Sequence, residues 1–271
     1  MQKKKDPSKG YVVVATKKQA FLAAAQNLAE GILDYDLNAK ITLFTQKSWV
    51  EDPEYKKYFA PFDQVIVTPG DTARQKMWGM AKSPYDQTFY MDSDIEIAHK
   101  DILNVFDHLE DNDLVFTELT KEASPAFVEW DWGPNHLADG WKGAPDHLSA
   151  CGGVCLYNFK NPLVKDFMMD WFTLFHKQRN GSWNPKEFDC IRTGNFRQWD
   201  QLTLWWLLYH SPKYKSLKWK FFDDNFRWNY FAIFGLMDPP SNYKKLDPRR
   251  TYSDGPVCFH HSAKMKKDFI I

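Results

Sequence analysis

Thr88-Phe89-Tyr90-Met91-Asp92-Ser93-Asp94 decides how the rest of the chain is read. Its first four residues form a short β-favouring run, and Asp and Ser then mark a turn, so it reads as a buried strand that stops abruptly. In open α/β sheets, ligands collect beyond the carboxyl ends of the strands. Two carboxylates one residue apart at such an end can both reach a hard divalent cation, which prefers oxygen ligands and commonly bridges protein carboxylates to substrate phosphates. A bare Asp-x-Asp is also an ordinary solvated turn, so the meaning of this one depends on its surroundings.

Upstream, Tyr11-Val12-Val13-Val14-Ala15-Thr16 is an uninterrupted apolar run with β-branched residues, the pattern of a parallel strand buried on both faces. An Ala- and Leu-rich helix is predicted from about Lys18 to Leu33, strands over Lys40–Thr45 and Gln64–Val67, and a helix over Ala73–Ala81. Asp92 therefore ends the fourth strand. After it come a predicted helix over Asp101–Leu109 and a strand over Leu114–Thr117. Alternating strands and helices imply an α/β fold with a Rossmann-like, mostly parallel sheet flanked by helices. Residues 120–150, rich in Trp, Pro, Gly and Asp, read as a long loop region, and Leu163–His176 and Gln198–His210 as helices. Neither a linker nor a repeat interrupts the chain. A single domain over 1–271 is expected, with a nucleotide-binding half at about 11–117 and an acceptor-binding half at about 118–271.

Composition narrows the function classes. With 271 residues and 44% apolar content, the chain can bury a large core. The 35 basic and 35 acidic residues balance, which argues against nucleic acid as a partner, because neutralising phosphates needs a surplus of Lys and Arg. Aromatic residues reach 17%, with twelve Trp, mostly core filler, although exposed rings would stack on sugars. The cysteines at 151, 155, 190 and 258 form no Cys-x-x-Cys pair and read as free thiols in a reducing compartment. The run at Tyr11–Ala15 is too short for a signal sequence, and no window approaches a membrane span. A soluble, cytoplasmic protein with no transmembrane segment is expected.

Four segments, in order, carry a resemblance. Pro84-Tyr85-Asp86 with Phe89-Tyr90-Met91-Asp92-Ser93-Asp94 resembles the metal-binding segment of GT-A glycosyltransferases, above all the retaining family-8-like group. Cys151-Gly152-Gly153-Val154-Cys155-Leu156-Tyr157-Asn158 is similar to that group's small-residue strand, although Cys151 stands where Asn is usual. Asp200-Gln201 resembles its Asp-Gln pair at a helix start. His260 with Lys266 resembles its C-terminal His-x-x-Gly-x-x-Lys, with Ser262 where Gly is typical.

The resemblance implies a GT-A-type fold and transfer of a sugar from a nucleotide-diphosphate donor, a UDP-sugar being the group's commonest, to an acceptor hydroxyl with retention. The acceptor would be a carbohydrate, a lipid-linked sugar or a protein. Asp92, Asp94 and His260 would hold Mn²⁺ (or Mg²⁺), with His261 the alternative to His260; imidazole favours manganese. Asp92 would also touch the ribose, beside Ser93. Lys266 would pair with the diphosphate, Thr16 and Lys17 would lie near the base or ribose, and Arg74 or Lys76 would approach the donor sugar or phosphate. Asp200 and Gln201 would face the anomeric carbon and the sugar hydroxyls as the catalytic pair. An inverting enzyme would need a general base, for which Asp131, Asp139 and Asp146 are available.

Other classes compete. A haloacid-dehalogenase-type phosphatase places Asp-x-Asp after the first strand, where this chain has Thr16-Lys17. A sugar-nucleotide nucleotidyltransferase should carry a Gly-rich loop there, and Ala15-Thr16-Lys17-Lys18-Gln19 has no Gly. A catalytically silent carbohydrate-binding relative would not need Asp92, Asp94 and His260 together.

Overall fold

The computed structural model describes residues 8–72, 74–118, 150–179, 200–231 and 256–260. Seven strands form the main sheet: β1 (Lys9–Ala15), β2 (Ile41–Thr45), β3 (Gln64–Val67), β4 (Gln87–Asp92), β6 (Leu114–Glu118), β7 (Ala150–Asn158) and β8 (Trp219–Phe221). Their order is β3-β2-β1-β4-β7-β6-β8. All pairings are parallel except those of β7, which runs antiparallel to both β4 and β6. The expected mostly parallel sheet is therefore present, with β7 as its reversed strand.

Alternation along the strands explains why the runs at 11–15 and 88–91 carry no polar break. Tyr11, Val13, Ala15, Phe89 and Met91 point to one face, where helix α1 (Gln19–Tyr35) buries Leu22, Ala25, Leu28, Ala29 and Ile32. Val12, Val14 and Tyr90 point to the other face, against α3 (Gln75–Ala81) and α4 (Pro162–Arg179). The strands are sandwiched between two helical layers, so both side-chain rows must be apolar. Each fully buried Leu, Ile or Phe contributes about 1.5–3 kcal/mol relative to an exposed one.

Several element bounds shift from the sequence expectation. The predicted helix at 101–109 is a 3₁₀ helix over Lys100–Leu109, entered through His99, whose ring accepts from the Asp101 N–H. The helix expected from residue 73 runs as α3 from Gln75, with Arg74 at its N-cap, and residue 73 lies outside the described residues. Of the helix expected at 198–210, Asp200–Tyr209 is described as α5. The expected loop at 120–150 gives its last residue to β7; the remainder, with Asp131, Asp139, Asp146 and the Trp130–Trp141 stretch, lies outside the described residues. A five-residue helix α2 (Lys47–Glu51) and a four-residue helix α6 (Asn225–Trp228) complete the described α-helices.

A second, three-stranded sheet was not anticipated from the sequence. It has the order β5-β10-β9, formed by Ile95–Ile97, Cys258–His260 and Tyr230–Phe231. Two or three residues per strand are too few for alternation to show. Among the described helices, none is long and apolar enough to cross a membrane.

Candidate metal and donor site

β4 ends at Asp92, and Ser93-Asp94 turns the chain directly into β5. β10 pairs antiparallel with β5, and its register sets His260 opposite Ile95. That pairing carries a histidine from residue 260 to the neighbour of Asp94. His260 Nε2 lies 3.3 Å from Asp94 Oδ1. One ligand atom from each of Asp92, Asp94 and His260 falls within 4.8 Å of the others, with Asp94 and His260 buried.

Two oxygens and an imidazole nitrogen converging at that spacing fit a divalent cation of the manganese or magnesium kind. Gly153 on β7 gives a second reason. A Cβ built there would sit 3.0 Å from Asp92 Oδ2 and 3.2 Å from His260 Cε1, so the absent side chain is what leaves the cradle open. Its neighbour Gly152 faces the other way, where a Cβ would come within 2.8 Å of Trp171 and 3.7 Å of an Asp200 oxygen. The paired glycines thus let one strand pass between the two halves of the site.

Asp92 is held from several sides. The buried Tyr90 hydroxyl, two residues back on the same face, donates to Asp92 Oδ1 at 2.5 Å. Lys76 Nζ lies 3.4 Å from both oxygens. Burial raises the Tyr90 phenol well above its ordinary value, and the Asp92 charge raises it further, so it stays a donor.

Asp200 is 1% exposed and lies on the other side of Lys76. Arg74 Nη1 donates to Asp200 Oδ1 at 2.7 Å, and Lys76 Nζ pairs with Asp200 Oδ2 at 2.8 Å. Burial alone would raise the Asp200 carboxyl, but the Lys76 and Arg74 charges overcome it and hold it below the usual carboxylate range. Burial likewise works to lower Lys76, and Asp200 and Asp92 together outweigh it and keep it protonated. Trp171 Nε1 donates to the Asp200 carbonyl at 2.8 Å, fixing the helix end that carries the carboxylate. Gln201 follows it, half-buried.

Thr16 and Lys17 lie at the same sheet edge, because β1 pairs with β4 and sets Val14 opposite Asp92. Thr16 Oγ1 donates to the Thr72 carbonyl at 2.8 Å, tying this edge to the loop before α3. Lys17 has φ 76°, and Lys18 N–H reaches back to the Thr16 carbonyl across it, a strained three-residue turn. The Lys17 N–H is taken by Gln46 Oε1 at 2.7 Å.

The structure thus gathers Asp92, Ser93, Asp94, His260, Lys76, Arg74 and Asp200 at one end of the sheet, with Thr16 and Lys17 on the neighbouring strand. Arg74 or Lys76 was expected to approach a donor sugar or phosphate; in the structure both are ion-pair partners of Asp200. Lys266 and His261 lie outside the described residues. Sequence reasoning missed Asn229, which is 1% exposed and whose Oδ1 lies 2.9 Å from His260 Nδ1. Nothing in Trp228-Asn229-Tyr230 marks it, since its role depends on β9 and β10 meeting.

The sequence matches no protein-family model and no curated protein. Among solved structures, the chain superposes on the glycosyltransferase GlyE of Streptococcus pneumoniae TIGR4 with a TM-score of 0.54 and 15% identity. The match covers 96% of this chain and 56% of that one. WbbM, a bifunctional glycosyltransferase, also gives 0.54, at 14% identity over 98% of this chain and 49% of its own. The fold is that of the GT-A glycosyltransferases. This chain spans about half the length of those two proteins. The candidate site lies at the end of β4, where the main sheet and the small sheet meet.

Proposed function

We propose that this protein is a metal-dependent glycosyltransferase that moves a sugar from a nucleotide-diphosphate donor, a UDP-sugar, to an acceptor hydroxyl with retention. The observation that carries the reading is the convergence of Asp92, Asp94 and His260 beside an Asp200 clamped by Arg74 and Lys76. The alternatives account for only part of it: a turn of solvated carboxylates needs no histidine, and a silent binding relative needs no open cradle at Gly153.

Asp92, Asp94 and His260 would hold Mn²⁺ or Mg²⁺, which when bound neutralises charge on the departing diphosphate as a Lewis acid. The chain's own residues do the rest. Tyr90 and Lys76 orient Asp92. Thr16 and Lys17, one strand over, border the space for the nucleotide, with Ser93 between the two aspartates. Arg74 and Lys76 fix Asp200 as an ionised, immobile carboxylate, suited to accept hydroxyls of the donor sugar and to offset positive charge at the anomeric carbon. Gln201, next on the helix, adds a donor and an acceptor for the same sugar. Lys266 would supply a further positive charge to the diphosphate. Retention requires no separate base, because a leaving diphosphate oxygen on the same face can take the acceptor proton. The acceptor is a carbohydrate, a lipid-linked sugar or a protein.

A panel of nucleotide-sugars incubated with the chain and Mn²⁺, scored for slow hydrolysis, tests this reading. One donor should turn over, and chelation should stop it. Metal-independent turnover, or none with any donor, would sink it.

A further inference from the structure

We infer that Asn229 is a positioning residue that fixes the tautomer of His260, so that Nδ1 carries the proton and Nε2 presents its lone pair to the cation position. The inference rests on the metal reading of Asp92, Asp94 and His260, and it adds a residue that no sequence motif marks.

The geometry runs through one buried amide. Asn229 Oδ1 lies 2.9 Å from His260 Nδ1. Its Nδ2 donates to Thr117 Oγ1 at 3.0 Å and to Cys151 Sγ at 3.3 Å. The Cys151 sulfur also accepts from the Gly153 N–H at 3.4 Å, so it serves as an acceptor at this place. In the structure the amide nitrogen faces Thr117 and Cys151, and the oxygen faces the imidazole. An amide oxygen only accepts, so in this orientation Nδ1 carries a proton toward it. Nε2 of the same ring points to Asp94 Oδ1, 3.3 Å away, on the side of the cation position. A bound cation takes the place of any proton between them. Metal-bound histidines commonly donate their other ring N–H to such an oxygen, which sets the ring and raises its basicity.

The arrangement also gives Cys151 a role. Burial pushes its thiol up, so it remains neutral and holds the amide without adding charge beside the aspartates. Asn229 thereby joins β6 through Thr117, β7 through Cys151 and β10 through His260. A structural cross-link alone would do as much with either tautomer; the orientation of the amide is what ties it to metal binding.

The test uses the whole chain and two substitutions. Asn229→Leu keeps the volume and removes the acceptor, while Asn229→Asp keeps an acceptor toward Nδ1. In the metal-free protein, imidazole ¹⁵N shifts of His260 should report a proton on Nδ1 in the unaltered chain and in N229D, and lose it in N229L. Mn²⁺ titration, followed by electron paramagnetic resonance of the free ion, should show N229L weakened about 10- to 100-fold and N229D close to the unaltered chain. An Nε2–H tautomer in the unaltered chain, or equal Mn²⁺ affinity in all three, overturns the inference. If N229L fails to fold, the tautomer of the unaltered chain and the Mn²⁺ affinity of N229D still decide it. An unaltered chain that shows Nδ1–H yet binds no Mn²⁺ would instead overturn the metal reading on which the inference rests.

Discussion

At the scale of single residues, the site is built as much by side chains that are absent as by those present. Gly153 is open because any Cβ would press on Asp92 and His260. Gly153→Ala should leave the fold intact and weaken Mn²⁺ binding by roughly tenfold or more, the effect expected when a metal site is disturbed. An unchanged affinity in a Mn²⁺ titration would mean that the cation sits elsewhere. Asp200 gives a pH prediction. Its folded-state carboxyl is depressed despite burial, because Lys76 and Arg74 surround it. A depressed acid contributes stability that is complete above its unfolded value and is lost as pH falls through the folded one. The unaltered chain should therefore exceed Asp200→Asn in stability by a constant margin from neutral pH down to about pH 4, and the margin should shrink only below that. Urea midpoints at several pH values measure it; a margin already closing between about pH 7 and 5 would mean a raised carboxyl, contrary to this account. The residues readable in advance were those with a chemical signature, Asp92, Asp94, Asp200 and His260. Asn229 was not, because a lone Asn in an aromatic stretch acquires its partners only when β6, β7 and β10 are brought together.

Among the elements, α3 shows how closely the site depends on packing. It carries Lys76 in its first turn, with Arg74 at its N-cap, and lies against β1 through Gly79, where an added Cβ would come 2.6 Å from Val14 Cγ2 and 3.2 Å from the Phe44 ring. Two effects oppose each other in Gly79→Ala. Helix propensity gains about 1 kcal/mol. Overpacking against a β-branched, rotamer-restricted Val costs about 1–3 kcal/mol, and the contact is too short for small adjustments to relieve. The substitution should be net destabilising in urea denaturation and should reduce turnover, since α3 would shift Arg74 and Lys76 together. A net gain in stability would show that the helix can move away freely. Strand and helix identities in the first half were legible because β1 and β4 are buried on both faces and read as unbroken apolar runs. The reversal of β7 was not legible: a fully buried strand has the same pattern in either direction, and only its pairing with β4 and β6 shows which way it runs. The small sheet escaped notice because its strands of two and three residues owe their existence to one another.

For the whole molecule, the candidate site depends on distant parts of the chain meeting. The first 118 residues supply the carboxylates, Asp200 comes from the second half, and His260 reaches Asp94 only through the pairing of β10 with β5. The candidate site therefore draws on residues from both halves of the chain. Mn²⁺ should consequently raise the thermal unfolding temperature of the full chain, as any ligand confined to the folded state does, and Asp94→Ala should lose that rise. The most direct measurement is the rate of UDP-sugar hydrolysis as a function of Mn²⁺, in the unaltered chain and in the Asp94→Ala and His260→Ala variants. Saturable, Mn²⁺-dependent release of UDP from one donor, reduced roughly 100-fold or more in both variants, is the predicted result. Release that is independent of Mn²⁺, or unaffected by either substitution, would contradict it.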